Sequence, residues 1–300
     1  LGDVYKRQLM MDINYELYKV FYYVASSLSF SEASKQLYIS QSAVSQSIKA
    51  LEKKLDQVLF IRSTKKVQLT PEGEILLRHV EPAMNLIKRG ENQLLESAST
   101  GGQIRIGASD TICRYFLVPY LERFHRSFPS SHIKVTNQTS IKCVDLLENG
   151  QVDLIFINYP NNYINQLSTV KKIKTFRDVF VANDSFSHLK GKKLSYQELL
   201  DQPILMLDRK STTSEFLHSL FQQHQLDLVP EIELSSNDLL IDLAKIGLGI
   251  AFIPDYCLSR DPEGLFIVET KEELPKRQLL IAYNDRIPMS RSVQAFLDYF

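Results

Sequence analysis

The chain has 300 residues, 44% of them hydrophobic and 23% charged, with 35 lysines and arginines against 35 aspartates and glutamates. That length exceeds what one hydrophobic core usually serves, so at least two domains are expected, and the composition excludes collagen-like, mucin-like and wholly disordered chains. The longest apolar stretch, Leu239 to Phe252, is interrupted by Asp242 and Lys245, which leaves no run of roughly 18 apolar residues to cross a bilayer.

The N-terminus carries Asp3, Lys6 and Arg7 with no apolar core behind them, so no secretory signal is read there and a cytoplasmic location is expected. Cys113, Cys143 and Cys257 lie far apart, which fits neither a zinc knuckle nor a disulfide-stapled domain. The zero net charge conceals a local excess. Between Gln41 and Thr70 six cations (Lys49, Lys53, Lys54, Arg62, Lys65, Lys66) face only Glu52 and Asp56. A basic head on an acidic body points to a polyanion-binding module joined to a second function.

Leu17, Val20, Phe21, Val24 and Leu28 share one face of a first helix. Ser29-Phe30-Ser31 ends it, and Ala33 with Leu37 marks a short second helix that stops at Tyr38-Ile39. Ser40 then caps a third, in which Val44, Ile48, Leu51 and Leu55 form the apolar face, with Ile39 placed to staple onto Val44. The opposite face shows Gln41, Ser42, Ser45, Gln46 and Lys49, amides and hydroxyls of the kind that read base edges in a major groove. Leu59 to Arg62 and Val67 to Thr70 flank Ser63-Thr64-Lys65-Lys66, a hairpin with a basic tip. On spacing alone, a three-helix bundle with a surface hairpin that never touches DNA fits as well.

Phe30-Ser31-Glu32-Ala33-Ser34, Leu37, Ile39 to Ser45, Ile48, Leu51-Glu52, Leu59-Phe60-x-Arg62 and Leu69-Thr70-x-x-Gly73 together resemble the N-terminal signature of the LysR-type transcriptional regulators. The resemblance is densest over residues 17–77 and looser to the chain end. Ser34 and Asp56 depart from it, standing where alanine and glycine are usual. A non-glycine residue at 56 costs about 1 kcal/mol if its φ is positive. Residues 1–10 match nothing in the family and are taken as a non-native leader, with Met11 as the start. The resemblance implies a winged helix-turn-helix over 11–70 that binds double-stranded DNA. In it Gln41, Ser42, Ser45 and Gln46 would face the major groove, Arg62, Lys65 and Lys66 would contact phosphates or the adjacent minor groove, and Ser40 and Lys49 would also belong to the DNA-binding set.

Thr70-Pro71-Glu72 reads as a cap, an N1 proline and a first-turn acid, starting a linker helix that belongs with residues 71–100. Leu76, Val80, Ala83, Met84, Ile87, Leu94 and Leu95 give it an apolar stripe suited either to a second copy or to its own body, and Pro82 is expected to kink or break it. The resemblance implies that this helix pairs two heads in a homodimer, that two dimers form a homotetramer on an inverted repeat, and that RNA polymerase is a partner.

Ser97 to Gly102 is a small-residue hinge. Beyond it, strands at 103–108, 132–138 and 152–158 alternate with helices carrying Leu117, Leu121 and Phe124, then Val144, Leu146 and Leu147, a βαβαβ pattern that predicts a parallel sheet. A second set has strands near 176–182, 203–207, 231–235 and 249–253 and helices near 213–225 and 237–246. The strand Leu279 to Tyr283 and the helix from Ser290 to Phe300 remain. By resemblance they return to the first lobe, giving a two-lobed α/β effector domain over 101–300, similar to periplasmic binding proteins. Lobe I is expected at about 103–172 and 274–300, and lobe II at about 173–273.

Ligands of such sheets sit at the carboxyl ends of strands, beside helix N-termini. Ser109, Asp110, Thr111, Thr139, Ser140, Asn158, Ser211 and Thr212 fall there, although Ser, Thr and Asp are also simply good caps. By resemblance, these eight would hold a small effector between the lobes, with Arg114 and Arg209 near enough to pair an anion. A competing mode of control is oxidation of Cys113 and Cys143, if first-turn positions depress their pKa. An α/β enzyme is the least supported alternative: no phosphate-loop, dinucleotide, nucleophile-elbow or metallohydrolase motif occurs, and Gly247-Leu248-Gly249 reads as a tight turn. No cofactor and no metal are expected.

Overall fold

The computed structural model describes residues 13–62, 66–96, 102–164, 169–259 and 263–300. The expected leader, the hairpin tip at 63–65 and hinge residues 97–101 lie outside them. The chain divides into two compact units, Leu1–Asn92 and Gln93–Phe300.

In the first unit, helices α1 (Tyr15–Ser27), α2 (Phe30–Leu37) and α3 (Gln41–Leu55) precede a hairpin of β1 (Phe60–Arg62) and β2 (Val67–Leu69) and the helix α4 (Pro71–Glu96). The helix starts follow from local chemistry. Ser29 Oγ accepts from Glu32 N at 3.2 Å and Ser40 Oγ accepts from Ala43 N at 3.2 Å, each satisfying a donor that the first turn leaves unpaired. Val20, Phe21, Val24, Val44, Ile48 and Leu51 are buried together, each worth about 1.5–3 kcal/mol of transfer free energy. The Phe60 ring lies 5.5 Å from Phe21 and 5.9 Å from Phe30, which ties the hairpin to this core. Ile39 stays 40% exposed, so the expected staple is at most partial.

Glu52, on α3, has an anchoring role that the sequence did not reveal. Its Oε1 accepts from Leu59 N at 2.9 Å and from Phe60 N at 3.3 Å, clamping the third helix to the first strand of the wing. Contrary to expectation, α4 runs unbroken through Pro82. Proline there removes one N–H from the ladder, and the carbonyl of Arg78 loses its partner while the turns on either side keep theirs. Lys88 on α4 sits 4.9 and 5.0 Å from the rings of Tyr22 and Tyr23 on α1, a cation–π seat for that helix.

Asp56, the C-cap of α3, has φ 52° and ψ 38°, in the left-handed region where a side chain is strained. Asp56→Gly is therefore expected to raise stability by about 0.5–1 kcal/mol, seen as a higher urea midpoint at unchanged slope. An unchanged or lower midpoint counts against strain at this position.

The second unit has two mixed sheets. The first runs β4-β3-β5-β13-β6 and the second β10-β9-β11-β7-β12-β8. In the first, β3 (Gln103–Ala108) pairs in parallel with β4 (His132–Asn137) and β5 (Leu154–Tyr159), as the βαβαβ pattern requires. β13 (Arg277–Tyr283) then enters antiparallel between β5 and β6 (Thr169–Phe176). Here the purely parallel expectation fails. β6 is an edge strand bearing Lys171, Lys172 and Lys174, and charges that protect an open edge hide the strand pattern. The helix α10 (Arg291–Leu297) covers this sheet, with Phe296 against Phe124 at 5.3 Å and Phe156 at 6.3 Å.

In the second sheet β9 (Ile204–Leu207) is parallel to β10 (Ile232–Leu234) and β11 (Ile250–Pro254), whereas β7 (Asp178–Ala182) and β12 (Phe266–Thr270) are antiparallel neighbours. β12 was not anticipated, and β8 (Lys193–Leu194) closes the edge. The chain crosses between sheets at Arg177 and again over residues 271–276. Facing helices are α5, made of Asp110–Ile112, a π-helical turn Cys113–Leu117 and Val118–Ser127, then α6 (Ser140–Glu148), α7 (Tyr196–Leu200), α8 (Thr212–Gln223) and α9 (Asn237–Lys245).

Candidate functional site

On the first unit, the core residues of α3 turn its other face outward: Gln41, Ser42, Gln46 and Lys49 are exposed and Ser45 is half-buried. Ser40 is engaged as the cap, with Oγ also 2.9 Å from Ser42 Oγ. Lys66 is exposed beside β2, while Lys65 and the side chain of Arg62 lie outside the described residues. Tyr38, at the C-cap of α2 just before the third helix, is 95% exposed, an aromatic surface that helical periodicity passes over.

On the second unit, all eight hydroxyl, carboxylate and amide residues singled out as strand-end positions line one cavity of about 430 Å³ between the two sheets. Four helices begin at its wall. Ser109 Oγ accepts from Ile112 N (3.3 Å), Thr139 Oγ1 from Lys142 N (3.3 Å), Ser211 Oγ from Ser214 N (3.1 Å) and Ser236 Oγ from Leu239 N (3.4 Å), opening α5, α6, α8 and α9 in turn. The capping reading of these residues therefore holds alongside their place at the cavity. Ser140 Oγ accepts from Asn158 N at 3.1 Å, fixing α6 to the end of β5. The sequence reading missed Asp208, Ser236 and Asn237, which reach the same space from the second lobe beside Thr213. Asn237 Nδ2 donates to Thr111 Oγ1 at 2.9 Å across the cleft, and Tyr115 Oη donates to Asp238 Oδ1 at 2.6 Å beside it.

Arg114 and Arg209 do not line the cavity; Arg114 is instead drawn to Asp238 at 3.4 Å. The arginine that matters is Arg277, which the sequence reading did not single out. It is fully buried, with Nη1 2.8 Å from Asp178 Oδ2 and 3.0 Å from Thr213 Oγ1, and Nη2 3.3 Å from Thr212 Oγ1. Its guanidinium also lies 5.4 Å from the Phe176 ring and 4.9 Å from that of Phe216.

The depressed pKa that the oxidation alternative requires is not found. Burial, with the Asp110 carboxylate adding to it, pushes the Cys113 thiol up to about 12, and burial does the same to Cys143. Burial therefore works against the thiolate form on which the oxidation alternative depends. Among the described residues no group of three or more His, Cys, Asp or Glu is placed to hold a metal ion, and no helix is long and apolar enough to cross a membrane.

Two family models match: a bacterial regulatory helix-turn-helix protein of the lysR family over residues 15–74, and the LysR substrate binding domain over residues 97–300. The chain belongs to the LysR family of transcriptional regulators. It is similar to the HTH-type transcriptional activator CmpR of Synechocystis sp., 26% identical over 288 residues and covering 94% of this chain and 93% of that one. A probable RuBisCO transcriptional regulator of Phaeodactylum tricornutum is 28% identical over 247 residues, 80% of each chain. In fold it is similar to a full-length OxyR variant from Pseudomonas aeruginosa (TM-score 0.71, 19% identity, 95% and 94% of the two chains). Full-length CbnR complexed with its target DNA is comparable (TM-score 0.67, 18% identity, 96% and 98%). This LysR-type regulator thus joins a helix-turn-helix DNA-binding domain to an effector-binding domain, and its relatives are regulators rather than enzymes.

Proposed function

We propose that this LysR-type regulator binds an inverted-repeat promoter site as a dimer of dimers in the cytoplasm, engages RNA polymerase there, and is modulated by a small effector held between the lobes of its second unit. The observation that carries the effector reading is the cavity itself: polar residues scattered from Ser109 to Asn237 meet in one space where four helices begin. Backbone N–H groups at those starts are ready donors for a ligand. A ligand favouring one lobe arrangement would shift the regulator by its differential affinity, about 1–3 kcal/mol in such switches. The dimer reading is supported by Ile75, Leu86, Ile87 and Leu94, which α4 leaves exposed at helical spacing.

On DNA, Gln41, Ser42, Ser45 and Gln46 read bases, Ser40 holds the helix start, and Lys49, Arg62, Lys65 and Lys66 contact backbone. Gln41→Ala is expected to weaken a duplex selected in vitro by about 1–3 kcal/mol and to leave a random duplex nearly unchanged. Lys66→Ala is expected to weaken both equally and to lower the slope of log affinity against log salt by about one. Equal losses on both duplexes for Gln41→Ala would remove it from the base-reading set.

A further inference from the structure

The electrostatics of the cavity narrow what it can hold. α5, α6, α8 and α9 all start at its wall, and each helix N-terminus carries roughly half a positive charge. Against these, the ionisable side chains among the described lining residues are Asp110 and Asp208, and no lysine or arginine joins them. Arg277 lies behind the wall, but its charge is already matched by Asp178 at 2.8 Å. The site is thus close to electrically balanced, about two positive charges delivered by backbone and two negative charges delivered by carboxylates. A dianionic acid or phosphate ester would bring two charges into a partly desolvated space with no cation to pair them, which is costly.

The hydrogen-bonding groups are likewise mixed. Helix-start N–H groups and hydroxyls donate, which suits a carboxylate. Acceptors are also in surplus: besides the two aspartates, Asn237, 4% exposed, stands at the cavity wall and its carboxamide oxygen has no hydrogen-bond donor. An ionised carboxylic acid has no proton to offer such oxygens, whereas an ammonium group offers three. No aromatic side chain lines the space, and Leu207 is the single apolar residue among the described lining residues.

We infer that the cleft is built for a small zwitterion of the amino-acid class, with its carboxylate on the helix starts and its ammonium on the aspartates, and with a short or polar side chain. The inference rests on the reading that the cleft holds the effector, and the experiment separates the two. Full-length protein is titrated in a thermal-shift assay with each of the twenty common amino acids, with the matching 2-hydroxy acids, and with 3-phosphoglycerate and inorganic phosphate. At least one amino acid is expected to give a saturable rise, and its hydroxy analogue to bind at least tenfold more weakly. Asp208→Asn keeps the acceptor oxygen that Lys210 N bonds at 3.0 Å but removes the charge. It is expected to weaken the amino acid about tenfold and the hydroxy acid less than twofold. A response to none of the amino acids, or equal or tighter binding of the hydroxy acid or of 3-phosphoglycerate, overturns the zwitterion. If such an acid binds and Ser235→Trp, an exposed position on the cavity rim, blocks it, the cleft reading survives without this ligand class. If the amino acid binds regardless of Ser235→Trp, both fall.

Discussion

Gly73→Ala is expected to unfold the DNA-binding head at temperatures where the parent protein is stable. A Cβ on residue 73 would stand 2.2 Å from the carbonyl oxygen of Leu59, 2.9 Å from Leu69 Cδ2 and 3.2 Å from the Leu59 carbonyl carbon. Two of those three atoms are backbone, so no side-chain rotation relieves the clash. The surroundings are bound in place as well. Thr70 N donates to the same Leu59 oxygen at 3.0 Å, Thr70 Oγ1 donates to Val58 O at 2.7 Å, and Gly73 N donates to Thr70 Oγ1 at 3.0 Å. Making room for one methyl means moving the wing away from the first turn of α4, and overpacking of this kind costs about 3 kcal/mol or more. For a unit of this size that is a fall in Tm of more than about 12 °C, read by circular dichroism, with specific DNA binding lost in parallel. Gly90→Ala is the control. It sits exposed in the interior of α4 with nothing within 4 Å of its would-be Cβ, and alanine there is expected to add about 0.5–1 kcal/mol. Indistinguishable melting of the two variants would mean that helix and wing do not approach at Gly73.

Arg277→Met should be the most damaging single change in the second unit, at about 3–5 kcal/mol, because it leaves the Asp178 carboxylate buried without its partner. The pair lies at the start of β7 and the start of β13, where the chain crosses between lobes, so it joins both crossovers. Even intact it is incompletely satisfied: Asp178 Oδ1 and Arg277 Nε have no hydrogen-bond partner. That predicts an asymmetry. The double variant Arg277→Met with Asp178→Leu should recover most of the lost stability in urea titrations, since two apolar side chains replace two desolvated charges. Its effector response should nevertheless suffer, because Thr212 and Thr213 at the cavity wall lose the guanidinium that holds their hydroxyls. A double variant as unstable as Arg277→Met would show that the loss comes from packing against Phe176 and Phe216 rather than from the stranded charge.

What could be read from residue order alone is what depends on neighbours a few positions away. Helical faces such as Val44-Ile48-Leu51, and caps such as Ser29, Ser40, Ser109, Thr139 and Ser211, are set by contacts within one or two turns, and the structure shows those bonds. Because strand ends in an α/β sheet converge on one rim, the same local signals also picked out eight residues that share the cavity. Tertiary structure decided the rest. Arg277 lies just outside the strand read at Leu279 to Tyr283, and only the fold places Asp178, 99 residues earlier in the chain, 2.8 Å from it. Gly73 belongs to the family signature, but the reason for a glycine there appears only when Leu59 O comes to lie where its Cβ would be. Helix position left activation of Cys113 and Cys143 open as an alternative, and only their burial in the fold shows that the thiol pKa is raised. The strands β6 and β12 escaped because pairing partners far along the chain, not alternation within the strand, make them strands. Burial, charge pairing and close backbone approach are properties of distant segments brought together, and no local pattern encodes which segments will meet.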